Sequence, residues 1–158
     1  MEKINIQRNF LIYIIFSIFF VIYFLYIKHS VGNDSSVSEW LINYQGGFTR
    51  RGLGGEIAIN LANFLNTTLR KSIFFIQILF HVSYLLLLFF YFRKIRLNIL
   101  QLFALYAPIF LLYPIAEIEV LGRKEIILFL YFAIALFFSE KKYSILIINI
   151  QTFVILPL

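Results

Sequence analysis

The sequence predicts an all-α, polytopic integral membrane protein with four transmembrane helices and an incomplete fifth. The 158-residue chain is 61% hydrophobic and only 14% charged, and a water-soluble domain of this size could not cover so much apolar surface with polar groups. The apolar residues also form runs close to the roughly 20 residues that a helix needs to cross the hydrocarbon core. We treat residues 1–158 as a single membrane domain.

The apolar runs define the helices in order. The first lacks a small-residue cleavage site before Lys28, so we expect it to be retained rather than removed as a signal peptide. The fourth run is too short to cross the core by itself, and we therefore expect its helix to begin near Val120. The chain stops within the fifth run, so we expect either the N-terminal part of a longer protein or a small protein that needs other membrane subunits. The predicted spans are about 10–27, 73–92, 97–115, 120–138 and 143–158.

The basic residues suggest an orientation. The short connection 93–98 carries Arg93, Lys94 and Arg96, and short basic loops usually remain in the cytoplasm. We therefore expect a cytoplasmic N-terminus, with the first outer loop (28–71) and the second outer loop (114–125) on the opposite side. The net charge of +6 does not indicate nucleic-acid binding, because the basic residues stand at span ends and in these two loops.

The first outer loop contains an unusual concentration of glycine. The stretch "NYQGGFTRRGLGGE" holds five of the seven glycines in the chain. An amphipathic helix follows, with apolar residues at helical spacing on one face and polar residues on the other. We expect this helix to lie along the membrane rather than across it, and we expect Trp40 at the membrane interface. The apolar positions are Leu53, Ile57, Leu61, Phe64 and Leu65, and the polar ones are Glu56, Asn60, Asn63 and Thr67.

A phosphate site is predicted where this helix begins. Helix N-termini bind anions, and glycine lets an anion approach the backbone closely. Arg50 and Arg51 precede Gly52, Gly54 and Gly55, and guanidinium groups bind phosphate in a bidentate manner. The alternative is a tight turn whose arginines only hold lipid head groups.

The second outer loop is also rich in charge. Glu117 and Glu119 form an acid-x-acid pair, and Arg123 and Lys124 follow. We expect Arg123 and Lys124 to bind the substrate phosphate together with Arg50 and Arg51. If the two outer loops share one site, Glu117 or Glu119 should lie within about 10 Å, roughly one Debye length, of Arg50 or Arg51. The alternative is an ordinary short loop with compensating charges.

His81 is a separate candidate, because it lies in the middle of the second predicted span. Ionisable residues within a membrane usually have a function. The alternative is a neutral imidazole hydrogen-bonded to a neighbouring helix.

The segments "WLINYQGGFTRRGLGGEI" and "EIEVLGRKE" carry a family resemblance. The first resembles a signature of bacterial polytopic membrane proteins linked to surface-polysaccharide genes. The layout of residues 1–125 resembles C-type glycosyltransferases, which use lipid-linked sugars, and O-antigen polymerases. The resemblance implies a bacterial inner-membrane location, an acid corresponding to Asp34 or Glu39, and an acid pair corresponding to Glu117 and Glu119. Asp34 lacks the neighbouring acid typical of these enzymes, and they have about twice as many helices or more.

The resemblance implies a glycosyltransferase or polysaccharide polymerase, or its N-terminal part, that uses a polyprenyl-phosphate-linked sugar at the outer face. Asp34 or Glu39 would act as general base. Glu117 and Glu119 would position Mg²⁺ or Mn²⁺, which prefer hard oxygen ligands. A transporter or flippase component with His81 as proton relay, and a non-catalytic membrane scaffold, are the alternatives.

Overall fold

The computed structural model describes residues 2–31, 35–47, 52–95, 99–107 and 112–138. Every regular element in these segments is helical, and none of their residues lies in a strand. The predicted all-α class is therefore confirmed for the described part of the chain. The elements are α1 (Glu2–Val31), α2 (Ser35–Ser38), a 3-10 turn (Glu39–Leu41), α3 (Leu53–Leu65), α4 (Leu69–Phe92), α5 (Ile99–Tyr106), α6 (Tyr113–Ala116) and α7 (Ile126–Phe138).

Two of the described helices are long and apolar enough to cross a membrane, namely α1 from Arg8 to Val31 and the whole of α4. The third predicted span is not one continuous helix, because α5 ends at Tyr106 and α6 begins only at Tyr113. Ala107 is not helical, which agrees with the steric restriction that proline places on the residue before it. The fifth predicted span, 143–158, lies outside the described residues.

The fourth predicted helix begins later than expected. It starts at Ile126 rather than near Val120, so this part of the prediction was wrong. The residues before it form turns, in which the Val120 and Leu121 N–H groups both donate to the Glu117 carbonyl oxygen. Gly122 has a φ of +89°, a value that is incompatible with a right-handed helix. The charged loop is therefore made of turns that end one residue before α7.

Helix α4 is the centre of the packing, since it contacts α1, α3 and α7. Its inward face combines apolar side chains with several polar ones. The polar residues on this face are Ser72, Gln77 and His81, and the apolar ones include Ile73, Ile76, Leu85 and Leu88. A polar group in such surroundings is costly unless it is hydrogen-bonded. Gln77 and His81 are therefore candidate site residues.

Helix α3 packs inward through its small residues. Gly54, Ala58 and Ala62, each one turn from the next, are buried, whereas Ile57 and Phe64 are exposed, the latter by 82%. Small side chains let the backbones of two helices approach closely. The helix predicted from the sequence is thus confirmed. Of the large apolar residues that predicted it, Ile57, Phe64 and Leu65 are exposed, whereas Leu61 packs partly against the core.

Candidate functional site

The two outer loops meet at one backbone carbonyl. The Trp40 indole N–H donates to the Gly122 carbonyl oxygen over 2.8 Å, and the Gln77 amide donates to the same oxygen over 2.7 Å. Trp40 is only 1% exposed, so its ring is covered by protein, and its depth in the membrane remains a prediction. The ring is buried where the 3-10 turn, α4 and the second outer loop come together.

Side chains at the end of α1 extend this contact. The Lys28 ammonium donates to the Leu121 carbonyl oxygen over 2.7 Å and lies 3.5 Å from the Glu119 carbonyl oxygen. The His29 ring lies 2.8 Å from the Gln77 amide oxygen, and the Arg70 guanidinium donates to the His29 carbonyl oxygen over 2.8 Å. We call Lys28, His29, Trp40, Arg70 and Gln77, with the Leu121 and Gly122 carbonyls, the Gly122 network.

A cation from the second outer loop lies on the first turn of α3. The Lys124 ammonium nitrogen is 3.4 Å from the position that a Cβ on Gly54 would occupy, and 5.9 Å from the centroid of the Trp40 ring. Helix α3 has Gly52 as its N-cap, and the first N–H groups of a helix have no partner within it. The ammonium group and these N–H groups together make a region of positive potential.

The glycines of the first outer loop have different structural roles. A Cβ on Gly55 would overlap the Ile42 carbonyl oxygen and lie 3.0 Å from that of Trp40, so the close packing of the backbone alone explains Gly55. Gly47 has a φ of +115°, which L side chains rarely adopt. The atoms nearest to a Cβ on Gly54 belong to the end of Lys124 and to the Trp40 ring, all at ordinary contact distances. Its role as a phosphate-binding position remains a prediction, as do those of Gly52 and Gly55.

The other predicted phosphate and catalytic residues are only partly described. Asp34, Arg50 and Arg51 lie outside the described residues, and so does the predicted separation between the arginines and the carboxylate pair. Glu39 is half-buried at the start of the 3-10 turn, and Arg123 is half-buried in the second loop. The Lys28 ammonium is within electrostatic range of both Arg123 and Glu119, so the charged groups of this loop act on the end of α1.

Glu117 and Glu119 are both exposed. The described segments contain no group of three or more His, Asp or Glu residues that could hold a metal ion. Mg²⁺ is often held by one or two carboxylates together with water and substrate phosphates. The pair therefore fits only that incomplete kind of site, in which the substrate supplies part of the coordination.

His81 is completely buried, and its Nδ1 lies 2.8 Å from the carbonyl oxygen of Gln77, one turn earlier in α4. Because a carbonyl can only accept, Nδ1 carries the proton in this contact. The imidazole is therefore bonded to its own helix through Nδ1, and the Pro114 carbonyl of α6 also lies close enough to act on the ring. Within the described segments, His81 Nε2 has no hydrogen-bond partner, which leaves a buried acceptor beside the Gly122 network.

Four residues of the Gly122 network were not predicted from the sequence as site residues, namely Lys28, His29, Trp40 and Gln77. Gln77 offered a signal, since an amide within an apolar span is costly unless something pairs with it. The hydrogen-bond partner of Gln77 could not be predicted from the sequence. It is a backbone carbonyl of a distant loop, and every residue has a backbone carbonyl whatever its side chain.

No protein-family model, curated protein or solved structure matches the chain.

Proposed function

We propose that the protein is a multi-pass plasma-membrane protein that binds a polyprenyl-phosphate-linked sugar at its outer face and acts as a glycosyltransferase or polysaccharide polymerase, alone or as part of one. The observation that carries this proposal is the contact of Lys124 with the first turn of α3. It brings a cation of the second outer loop to the start of the helix that follows the glycine-rich stretch, next to two helices long enough to cross a bilayer.

The exposed surface of α1 supports the membrane placement. Its outward positions are large and apolar, and Phe16 and Phe19 are each 68% exposed. A contiguous surface of this kind is typical of contact with lipid or with another protein. The exposed Ile57 and Phe64 give α3 a similar surface, beside a polar edge formed by Asn60 and Asn63. This agrees with a helix lying between the membrane and water. The proposal keeps the N-terminus in the cytoplasm, as the short basic connection after α4 predicts.

In this proposal the phosphate of the substrate binds between the loops. The guanidinium groups of Arg50 and Arg51 supply bidentate donors. Lys124 and Arg123 supply further positive charge, and the first-turn N–H groups after Gly52 donate hydrogen bonds. The long apolar tail of the lipid lies in the bilayer beside α1 and α3. The substrate is therefore recognised by the combination of phosphate charge and a hydrocarbon chain.

The transfer itself needs a base on the acceptor hydroxyl. Asp34 or Glu39, both in the first outer loop, would accept that proton. Glu117 and Glu119 would hold Mg²⁺ or Mn²⁺, and such an ion offsets charge that develops on a phosphate leaving group.

The test is binding of a defined lipid to the purified full chain in nanodiscs. Polyprenyl monophosphate is compared with the neutral polyprenol of the same length. We expect the phosphate to bind more tightly, and Lys124→Ala to weaken its binding by about 10- to 100-fold, since hydrogen bonds to charged groups contribute about 1.5–3 kcal/mol. Lys71→Ala is the matched control, because Lys71 is exposed at the start of α4 and carries the same charge.

Equal binding of phosphate and alcohol, or an equal effect of the two lysine substitutions, would contradict the proposed phosphate site. Transfer of radiolabelled sugar from a polyprenyl-diphosphate donor then tests the enzyme activity. Phosphate binding without transfer would favour a non-catalytic role.

A second candidate function is a transporter or flippase component, and the buried His81 favours it. A neutral imidazole with one nitrogen unpartnered among the described residues can take up a proton inside a membrane helix, as proton relays do. Movement of a fluorescent lipid phosphate across proteoliposomes, lost in His81→Phe, would support the transporter over the glycosyltransferase.

A further inference from the structure

We propose that Gln77 is a positioning residue that, together with Trp40, fixes the second outer loop on the first and so sets Lys124 on the first turn of α3. The ligand of Lys124 rests on the proposed function, whereas the positioning itself does not. The two partners of the Gln77 amide, Gly122 and His29, are not predicted phosphate-binding residues. Gln77 acts through the Gly122 peptide.

Three side-chain donors converge on the backbone of the second outer loop. A carbonyl oxygen has two lone pairs, and at Gly122 these receive Trp40 from the 3-10 turn and Gln77 from α4. The preceding carbonyl, that of Leu121, accepts from Lys28 of α1. Three separate elements therefore hold two consecutive peptide groups. The loop contributes only backbone to these bonds.

The hydrogen bonds of the Gln77 amide allow one orientation of that amide. Its NH₂ group must face the Gly122 oxygen, because a carbonyl cannot donate. The amide oxygen then faces His29 at 2.8 Å, so the His29 nitrogen in this contact, Nε2, carries the proton. Arg70 donates to the His29 backbone carbonyl. Gln77 is completely buried and is thus held on both sides of its amide.

The Gly122 network is joined to Lys124 through the chain and through the Trp40 ring. Lys124 follows Gly122 by two residues, so a displacement of the Gly122 peptide moves its side chain. The Trp40 ring lies within reach of both partners, 5.9 Å from the Lys124 ammonium and 3.7 Å from the Gly54 Cβ position. One residue therefore holds the loop by its indole N–H and forms the floor on which Lys124 rests.

The experiment uses the absence of cysteine from the chain. Nitroxide labels at Ile118→Cys in the second outer loop and Asn60→Cys on α3, both exposed positions, report the distance between the loops by double electron–electron resonance in nanodiscs. We expect Gln77→Met, which keeps the length of the side chain, to broaden and shift this distance distribution. Trp40→Phe, which removes the indole N–H, should do the same. The control is Gln45→Leu, since Gln45 is exposed and its hydrogen bond to Asn43 uses the backbone N–H.

Binding of polyprenyl monophosphate separates positioning from a general loss of structure. We expect Gln77→Met to weaken binding about tenfold. In the Gln77→Met background, Lys124→Ala should then weaken it little further, because the lysine is already displaced. Multiplication of the two effects would overturn the proposal, and so would a distance distribution in Gln77→Met identical to that of the wild type. If the wild type does not bind the lipid, the proposed function fails, and the distance measurement alone decides the positioning role.

Discussion

Lys124 and Gly54 are neighbours, with the lysine ammonium 3.4 Å from the place of a Cβ on the glycine. The first turn of α3 carries partial positive charge from its N–H groups, and Lys124 adds a full positive charge to it. Such an arrangement is stabilised when an anion binds between the two. The contact joins two loops that are widely separated in the sequence. Single substitutions at the positions around it therefore test the arrangement.

Gly55 should be the least replaceable glycine of the first outer loop. A Cβ at this position would overlap the Ile42 carbonyl oxygen, and backbone cannot move aside as the end of a side chain can. We expect Gly55→Ala to lower the free energy of unfolding by about 1–3 kcal/mol, measured by thermal unfolding in detergent. Gly54→Ala is the control, because its Cβ would meet only ordinary contacts with Lys124 and Trp40. Equal stability of the two variants would show that Gly55 is not closely packed.

Gly122→Ala should displace the second outer loop. The residue has a φ of +89°, and left-handed backbone costs an alanine about 1–2 kcal/mol. If the loop relaxes to avoid this cost, the Gly122 carbonyl turns away from Trp40, and the environment of the buried indole changes. Since Trp40 is the only tryptophan in the chain, its fluorescence reports this directly, and we expect a shifted emission maximum. Gly46→Ala, where a Cβ meets open space, should leave the spectrum unchanged.

Substitutions on α3 should separate its two apolar surfaces. Ala58 is completely buried, so Ala58→Leu is expected to push α3 outward and destabilise the fold by about 1–3 kcal/mol. Ile57→Leu introduces the same side chain at the neighbouring, exposed position and should change stability by less than about 0.5 kcal/mol. Chemical denaturation followed by Trp40 fluorescence compares the two. A larger effect at Ile57 would mean that the face of α3 has been assigned wrongly.

Arginine itself, rather than positive charge, should be required at positions 50 and 51. The guanidinium group offers two parallel donors to a phosphate, whereas an ammonium group acts as a point charge. We expect Arg50→Lys and Arg51→Lys each to weaken binding of polyprenyl monophosphate several-fold in nanodiscs. Arg8→Lys, at an exposed position near the start of α1, is the control. Unchanged affinity in all three variants would contradict the phosphate site and favour the alternative, a tight turn whose arginines only hold lipid head groups.

The orientation of the chain can be tested by labelling single cysteines. In intact cells, a membrane-impermeant maleimide should label Asn63→Cys on α3 and should reach Lys94→Cys, after α4, only once the membrane is permeabilised. Both positions are exposed. The reverse pattern would place the outer loops in the cytoplasm and overturn the proposed chemistry at the outer face.

Much of the helical fold could be predicted, because each helix follows from a local pattern. The apolar run between charged ends predicts α1 and α4, and the periodicity from Leu53 to Leu65 predicts α3. The boundaries were less predictable. The thickness of a bilayer predicted a fourth helix that begins near Val120. The positive φ of Gly122 and the turns around it instead prevent a helix from beginning before Ile126.

Only the charged residues and the glycines of the candidate site could be predicted from the sequence. Lys124 was found from its charge and Gly54 from the concentration of glycine. The predicted proximity of Glu117 or Glu119 to Arg50 or Arg51 lies outside the described residues. The residues that produce the contact between Lys124 and Gly54, namely Trp40 and Gln77, were not found, because their partner is a backbone carbonyl.

By itself, the sequence determined that this chain is helical and unusually apolar, since composition and spacing act within single segments. It also determined where its charges are concentrated. Only the tertiary structure decided which face of α3 is internal, because lipid and protein core are both apolar, and hydrophobicity alone does not distinguish the exposed Phe64 from a core residue. The small Ala58 is inside because it permits close approach of backbones. The position of the loop that carries Lys124 was also decided at this level, because side chains of three elements together bond two consecutive peptide groups of that loop.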